Sequence, residues 1–223
     1  NAFIALSPQL SPYMQENLSR KFSLEQKTKS FYYLSTASSD IRQNKKEATE
    51  LNSKLTVIDN PSVSYEFDDF EGATHYSLVV HSIPKALESI FSVFQPISRS
   101  EYKNKILTLE SSPVNYLIEK YKTINELFGV EKQMLVNDFR AIAAAIEKTE
   151  QFALYKDLGD IAREQYPETV LGVFYLARYF EQTDKYKKAM KTYRSAYTLE
   201  SVDGYSKDDM LNRADEIQKE FGY

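Results

Sequence analysis

The chain has 223 residues, a net charge of −4, and neither cysteine nor tryptophan. The absence of cysteine excludes a disulfide-stapled scaffold, a zinc–thiolate site and a cysteine nucleophile. The acidic balance leaves no global basic surface for a nucleic-acid backbone, and no apolar run approaches the roughly 20 residues of a membrane span. Only six glycines are present, and none forms the Gly-rich loop that cradles nucleotide phosphates.

The first hundred residues alternate strand and helix patterns. Runs of apolar, aromatic and β-branched residues predict three strands, at residues 3–6, 30–36 and 63–67. Helical spacing predicts a helix at 45–55 and another that Pro84 opens and that extends to Phe94. Loops are predicted at 37–40 and in the acidic stretch 68–72. This alternation predicts a parallel sheet with helical crossovers.

From Ser112 onward only helices are predicted. Pro113 opens the first, and the others are expected at 134–148, 152–165, 170–182 and 185–199. Ser206, with Asp209 three residues later, is typical of the start of a last helix, which Gly222 would end. The predicted fold class is therefore α/β followed by all-α, with an α/β domain at 1–100 and a helical domain at 101–223.

Residues 176–199 resemble a tetratricopeptide repeat, in which small residues let two antiparallel helices approach and large ones fill the gap. The matching positions are Leu176, Ala177, Phe180, Ala189, Tyr193 and Ala196. The segment 132–167 follows the pattern more loosely, since Ala143 and Ala162 agree while Tyr155 and Gly159 depart from it. Ordinary helix packing would also explain these residues.

The repeat resemblance implies a helical domain that packs on its own α/β part, forms a homo-oligomer or binds a protein partner in a shallow groove. The candidate surface residues for such a partner are Tyr175, Arg178, Tyr179 and Gln182.

His75 is the most informative of the two histidines. It follows the third predicted strand and the acidic stretch, and it begins the sequence His75-Tyr76-Ser77-Leu78-Val79. This order, followed by Pro84 and an amphipathic helix, resembles the C-terminal part of serine esterases of the α/β-hydrolase family, in the branch that includes siderophore esterases. The opening strand with its Ser7-Pro8 turn matches as well, and the resemblance covers about residues 3–97.

The resemblance implies a partial α/β-hydrolase sheet and a triad in the chain order nucleophile, acid, histidine. His75 would be the catalytic base, and Asp40 would be the acid that orients its ring. Asp68, Asp69 and Glu71 compete for the role of the acid because they are near His75 in the sequence. The substrate would be a small-molecule ester. No cofactor is implied, and two histidines without cysteine are a poor metal-ligand set.

The sequence contains no Gly-x-Ser-x-Gly elbow, the turn that exposes the nucleophile in this family. Ser7 does not lie on such an elbow and is not assigned as the nucleophile. We therefore expect the nucleophile and the oxyanion hole upstream, outside these residues, and we expect this chain alone to be inactive. The alternative interpretation is a non-catalytic tetratricopeptide-type protein-binding module on an α/β platform. The sequence does not assign a compartment.

Overall fold

Three parallel strands are the framework of the first part of the chain. The computed structural model describes residues 1–223 and gives β1 (Ala2–Leu6), β2 (Ser30–Ser39) and β3 (Val63–Thr74), in the order β1-β2-β3. Both pairings are parallel. The central strand β2 is therefore paired on both sides, whereas β1 has one unpaired edge. The coarse class predicted from the sequence, α/β followed by all-α, is confirmed.

Helices cover both faces of this sheet. They are α1 (Pro12–Phe22), α2 (Arg42–Leu55) and α3 (Leu78–Ile90). Leu34 of β2 packs into a cluster with the buried side of α2, and Ala37 packs against the start of α3. Because successive side chains of a strand point to opposite faces, the central strand β2 is buried between α3 on one side and the α1 and α2 layer on the other.

Two helix predictions in this region were incomplete. The helix α1 was not predicted, although Ser11 caps its first turn by accepting a hydrogen bond from the Met14 N–H. Pro84 does not open α3, which begins six residues earlier and contains the proline in its interior. Proline there lacks the N–H that would bond the carbonyl of Val80. Val80 is 75% exposed, so water can satisfy that carbonyl.

The acidic stretch 68–72 is part of β3 and not a separate loop. Ala37 pairs with Phe70 and Ser39 pairs with Thr74, so β3 bulges between these two pairs. Gly72 lies in the bulge with φ +75°, a backbone conformation that glycine adopts without steric cost. The bulge shifts the register of β3 just before its last residue.

The second compact unit begins at Gln95, whereas the predicted domain boundary lies at residue 100. It contains seven helices, namely α4 (Arg99–Asn104), α5 (Pro113–Phe128), α6 (Val136–Thr149), α7 (Tyr155–Gln165), α8 (Leu171–Gln182), α9 (Tyr186–Arg194) and α10 (Lys207–Phe221). Strand-like pairing is limited to isolated bridges. The predicted helix starts at Pro113 and Ser206, and the end at Gly222, are confirmed.

Small residues let the helices of this unit approach closely. A Cβ atom added at Gly159 of α7 would lie 2.7 Å from Leu176 Cγ of α8, and one added at Gly172 of α8 would lie 2.8 Å from the Arg163 backbone nitrogen. The alanines singled out in the sequence, Ala177, Ala189 and Ala196, are fully buried. The close approach of α7 and α8 thus depends on positions that tolerate no side chain.

Tyr175 was wrongly predicted to lie on the surface. It is fully buried, and its ring stacks against Phe139 and Tyr155 at centroid distances of 6.2 Å and 6.1 Å. Its hydroxyl lies 2.7 Å from the hydroxyl of Tyr205. Burial of the ring together with a satisfied hydroxyl makes Tyr175 a core residue.

Candidate functional site

The candidate site lies at the carboxyl edge of the sheet. Ser7, Asp40 and His75 each directly follow the last residue of β1, β2 and β3, respectively. Because the carboxyl ends of parallel strands meet at the same edge, three residues distant in sequence converge. The structure thus brings together the two predicted site residues, Asp40 and His75, and adds Ser7.

Three side-chain atoms form a compact triangle. Asp40 Oδ1 lies 2.9 Å from His75 Nδ1 and accepts a hydrogen bond of 2.8 Å from the Ser7 hydroxyl. Ser7 Oγ is 3.0 Å from His75 Nδ1. All three separations are within normal hydrogen-bonding distance.

The carboxylate of Asp40 is fully buried and fully hydrogen-bonded. Besides Ser7 and His75, it receives the Thr36 hydroxyl at 2.8 Å and the Ile41 backbone N–H at 2.7 Å. Burial alone would raise the pKa of Asp40, but these hydrogen bonds outweigh it and hold the pKa below its ordinary value. Asp40 is therefore ionised at neutral pH.

An ionised Asp40 fixes the chemistry of the neighbouring ring. A carboxylate only accepts hydrogen bonds, so a hydrogen bond between the two groups requires the tautomer of His75 that carries its proton on Nδ1. In the neutral imidazole, Nε2 then holds the lone pair. The hydrogen bonds of the ring are all made through Nδ1, so Nε2 is left available to accept a proton.

The ring of His75 is accessible. Its side chain is 33% exposed, and its neighbour Tyr76 is 91% exposed and meets it edge to face at 5.5 Å. A reactant can therefore approach the imidazole from solvent, whereas the Asp40 carboxylate that orients the ring is buried.

Ser7 adopts an unusual backbone conformation. Its φ is +45°, in the left-handed region that favours glycine. Its N–H donates to the Ser35 carbonyl at 2.9 Å, and the Asn44 amide of α2 donates to its carbonyl at 2.9 Å and to its hydroxyl oxygen at 3.1 Å. These contacts hold the buried hydroxyl against Asp40 and His75.

The competing acids lie elsewhere. Asp68 accepts a hydrogen bond of 2.6 Å from the Tyr33 hydroxyl, and Asp69 forms an ion pair of 3.1 Å with Lys45. Glu71 is exposed on the bulge of β3. Of the four carboxylates considered, Asp40 is the one that contacts His75.

Sequence reasoning missed three contributors to the site, Ser7, Thr36 and Asn44. A signal existed for Ser7, because it immediately follows the first predicted strand and parallel strands end at one edge. Asn44 gave no comparable signal, since its role depends on how the first turn of α2 sits over the end of β1.

The candidate partner surface of the helical unit lies near a cavity of about 480 Å³. Arg178 lines this cavity and pairs with Glu147 at 2.6 Å, whereas Tyr179 and Gln182 are half-buried. No group of three His, Asp or Glu side chains is placed to hold a metal ion. None of the helices combines the length and the apolar character that crossing a bilayer requires.

Comparison with known proteins shows a similarity to a solved structure. No family model and no curated protein matches the sequence. A solved structure, an uncharacterised protein from Capnocytophaga ochracea, is similar with a TM-score of 0.83 and 30% identity, over 98% of this chain and 61% of that chain. The chain therefore shares its fold with that protein over nearly all of its own residues and spans 61% of that protein's length.

Proposed function

We propose that this chain is the part of a serine esterase of the α/β-hydrolase family that carries the catalytic base, His75, and the acid that orients it, Asp40. The observation that carries the proposal is the 2.9 Å contact between Asp40 Oδ1 and His75 Nδ1 at the carboxyl edge of a parallel sheet. This contact leaves the second ring nitrogen, Nε2, open for a nucleophile, as the triad chemistry requires.

The order of the elements supports the proposal. The three parallel strands follow one another in chain order, with the acid after the second strand and the histidine after the third. This is the order that the esterase resemblance implies. The proposed tetratricopeptide-like tail would then follow as the helical unit.

The unpaired edge of β1 is consistent with a further strand beside it. Phe3 and Ile4 of this strand are 55% and 38% exposed, and a strand of a parallel sheet is normally buried on both faces. A strand outside these residues, added along β1 together with its crossover helices, would cover them. The nucleophilic serine and the oxyanion hole would belong to that additional chain, in line with the greater length of the similar solved protein.

In the proposed reaction, Nε2 of His75 takes the proton of the serine hydroxyl as its oxygen attacks the ester carbonyl. The imidazolium then gives this proton to the departing alcohol, and an acyl-enzyme remains. Water, deprotonated by the same nitrogen, attacks the acyl-enzyme, and the imidazolium returns this proton to the serine oxygen as the acid is released. Throughout, Asp40 holds the ring by Nδ1 and stabilises its positive charge.

The test uses the longer protein and p-nitrophenyl acetate as the ester. His75→Ala should lower kcat by about 10³-fold or more without unfolding the protein. The matched control is His81→Ala, which removes the other histidine, exposed on α3, and should leave turnover unchanged. Normal hydrolysis by the His75→Ala variant would overturn the assignment.

A second experiment locates the nucleophile. A fluorophosphonate probe should label a serine of the longer protein and should leave the 223-residue chain unlabelled. Labelling of Ser7 in this chain would contradict the proposal that the nucleophile lies outside it.

A second candidate function is peptide binding by the helical unit, favoured by its cavity of about 480 Å³. Apolar and charged side chains share its lining, among them Tyr155, Phe174, Met210, Arg178 and Arg213. A peptide selected by the whole chain from a random library should lose affinity for the Ala144→Trp variant, because Ala144 is exposed at this cavity and the indole would fill it. Unchanged binding would reject the cavity as the binding site.

A further inference from the structure

We propose that Ser7 is a positioning residue, whose hydroxyl, held by Asn44, fixes the His75 ring in the form protonated at Nδ1 with Nε2 free to act. This inference rests on the proposed role of His75 as the base, and it gives a function to a residue that the triad order does not use.

The hydrogen-bonding capacity of the Ser7 hydroxyl assigns each of its partners. A hydroxyl has one proton and two lone pairs. The proton goes to Asp40 Oδ1 at 2.8 Å, because the ionised carboxylate can only accept. The lone pairs then receive the Asn44 amide at 3.1 Å and the proton on His75 Nδ1 at 3.0 Å. Ser7 and Asp40 are thus two acceptors converging on one ring N–H.

The same assignment excludes Ser7 as the attacking group. A nucleophilic hydroxyl must give its proton to a lone pair of the base. The ring nitrogen beside Ser7 carries a proton of its own, and the Ser7 proton is committed to Asp40. Ser7 therefore lies on the orienting side of the imidazole, opposite the nitrogen that would face a nucleophile.

The left-handed backbone conformation of Ser7 is unfavourable for a residue with a side chain, which points to a role for the hydroxyl. At φ +45° a side chain is disfavoured and glycine would be relaxed. A non-glycine residue in this region is a reason to look for a function, and the three side-chain contacts of the hydroxyl supply one. Asn44 stabilises the same conformation by bonding the Ser7 carbonyl as well.

The experiment measures the tautomer of His75 by ¹⁵N NMR on the 223-residue chain, which has only two histidines. In the wild type, the neutral ring should be protonated at Nδ1. Ser7→Gly removes the hydroxyl and relaxes the backbone, and it should raise the fraction of the Nε2–H tautomer by about threefold or more. Ser7→Ala should do the same while keeping a side chain at φ +45°.

The matched control is Ser35→Ala. Ser35 is buried in the neighbouring strand and its hydroxyl lies 2.8 Å from that of Ser82, so its loss perturbs the core without touching the ring. The tautomer ratio of His75 should stay at its wild-type value. An unchanged ratio in Ser7→Gly, or an equal change in Ser35→Ala, would overturn the positioning role.

Kinetics of the longer protein separate this inference from the proposed function. Ser7→Gly should lower kcat by about tenfold and leave KM unchanged, because orientation of the base matters in the transition state and not in substrate binding. An unchanged kcat would contradict the inference. Absence of hydrolysis by the wild-type longer protein would instead overturn the proposed function, and the tautomer ratio would then decide alone whether Ser7 orients the ring.

Discussion

The buried carboxylates of the two units have different kinds of hydrogen-bond partner. In the α/β unit, the buried Asp40 receives a ring N–H whose other nitrogen is open to solvent. In the helical unit, Asp138 receives the Ile97 N–H at 2.7 Å and the Tyr121 hydroxyl at 2.9 Å, and Glu181 receives Arg213 at 2.7 Å. The partners of Asp138 and Glu181 are thus a backbone N–H, a tyrosine hydroxyl and an arginine, and none of them is a ring with a free nitrogen.

The difference separates the candidate site from structural pairing. A buried charge must be compensated wherever it lies, so burial and hydrogen bonding alone do not mark function. What distinguishes Asp40 is its partner, a titratable ring with an unused nitrogen at the rim of the sheet. The contrast predicts that removing Asp40 chiefly affects turnover, whereas removing Glu181 chiefly affects stability.

The largest effect is expected from Asp40→Asn in the longer protein. The amide is neutral and is a weaker acceptor for the Nδ1 proton than the carboxylate, so the ring loses both its orientation and its counter-ion. We expect kcat to fall by about 10³- to 10⁴-fold. Asp68→Asn is the control, since Asp68 pairs with Tyr33 and not with His75. A comparable loss of kcat in Asp68→Asn would break the distinction between the two acids.

Glu181→Ala should have the largest effect on stability. It leaves Arg213 and the buried Tyr193 hydroxyl without their shared acceptor, and we expect a loss of about 2–3 kcal/mol in the free energy of unfolding, measured by urea denaturation. Glu216→Ala removes the exposed partner of the same arginine and should change stability by less than about 0.5 kcal/mol. Equal effects would show that Glu181 is not a structural carboxylate.

Gly172→Ala tests the close packing of the helical unit. The added methyl would meet the Arg163 backbone at 2.8 Å, and backbone cannot move aside as a flexible side chain can. We expect a net destabilisation of about 1–2 kcal/mol, even though alanine is the better helix former. The control is Lys191→Ala, at an exposed position of α9. A lower melting temperature for Lys191→Ala than for Gly172→Ala would contradict the prediction.

The smallest expected effect is the contribution of Asp40 to the pH dependence of the free energy of unfolding. Because the pKa of Asp40 is lower in the folded protein than its ordinary value of 3.8, its ionised form stabilises the fold. That contribution is fully present above the ordinary value and is lost as the pH falls through the lower, folded one. The difference in unfolding free energy between wild type and Asp40→Asn should therefore shrink as the pH falls below about pH 4. A difference that grows towards acid would have the wrong sign.

The sequence was most informative where local patterns decide structure. The helix starts at Pro113 and Ser206 and the glycine end at Gly222 depend on neighbouring residues, and all were predicted. The three strands were found as well, but the predicted loops at 37–40 and 68–72 are largely strand, because β2 extends to Ser39 and β3 to Thr74. The pairing of Asp40 with His75 was left open among four acids, because which strand end lies beside the histidine is a matter of sheet order. Only the assembled sheet brings Asp40 to the ring.

The errors have a common physical source, which is tertiary context. Pro84 is tolerated inside α3 because the carbonyl it cannot bond belongs to the exposed Val80. Tyr175 was predicted to lie on a partner-binding surface, but it is buried and Tyr205 satisfies its hydroxyl within the core. Ser7 was set aside because it lacks an elbow, and its contacts arise from two other strands and from α2.

The open edge of β1 has a practical consequence. Asp40 and His75 follow β2 and β3, which pair with each other in the sheet. The contact between Asp40 and His75 therefore does not depend on a further strand beside β1. If the proposed function holds, the chain carries the acid and the base of the triad already paired. We expect a separately produced N-terminal piece bearing the serine to restore hydrolysis when mixed with it, in the manner of fragment complementation.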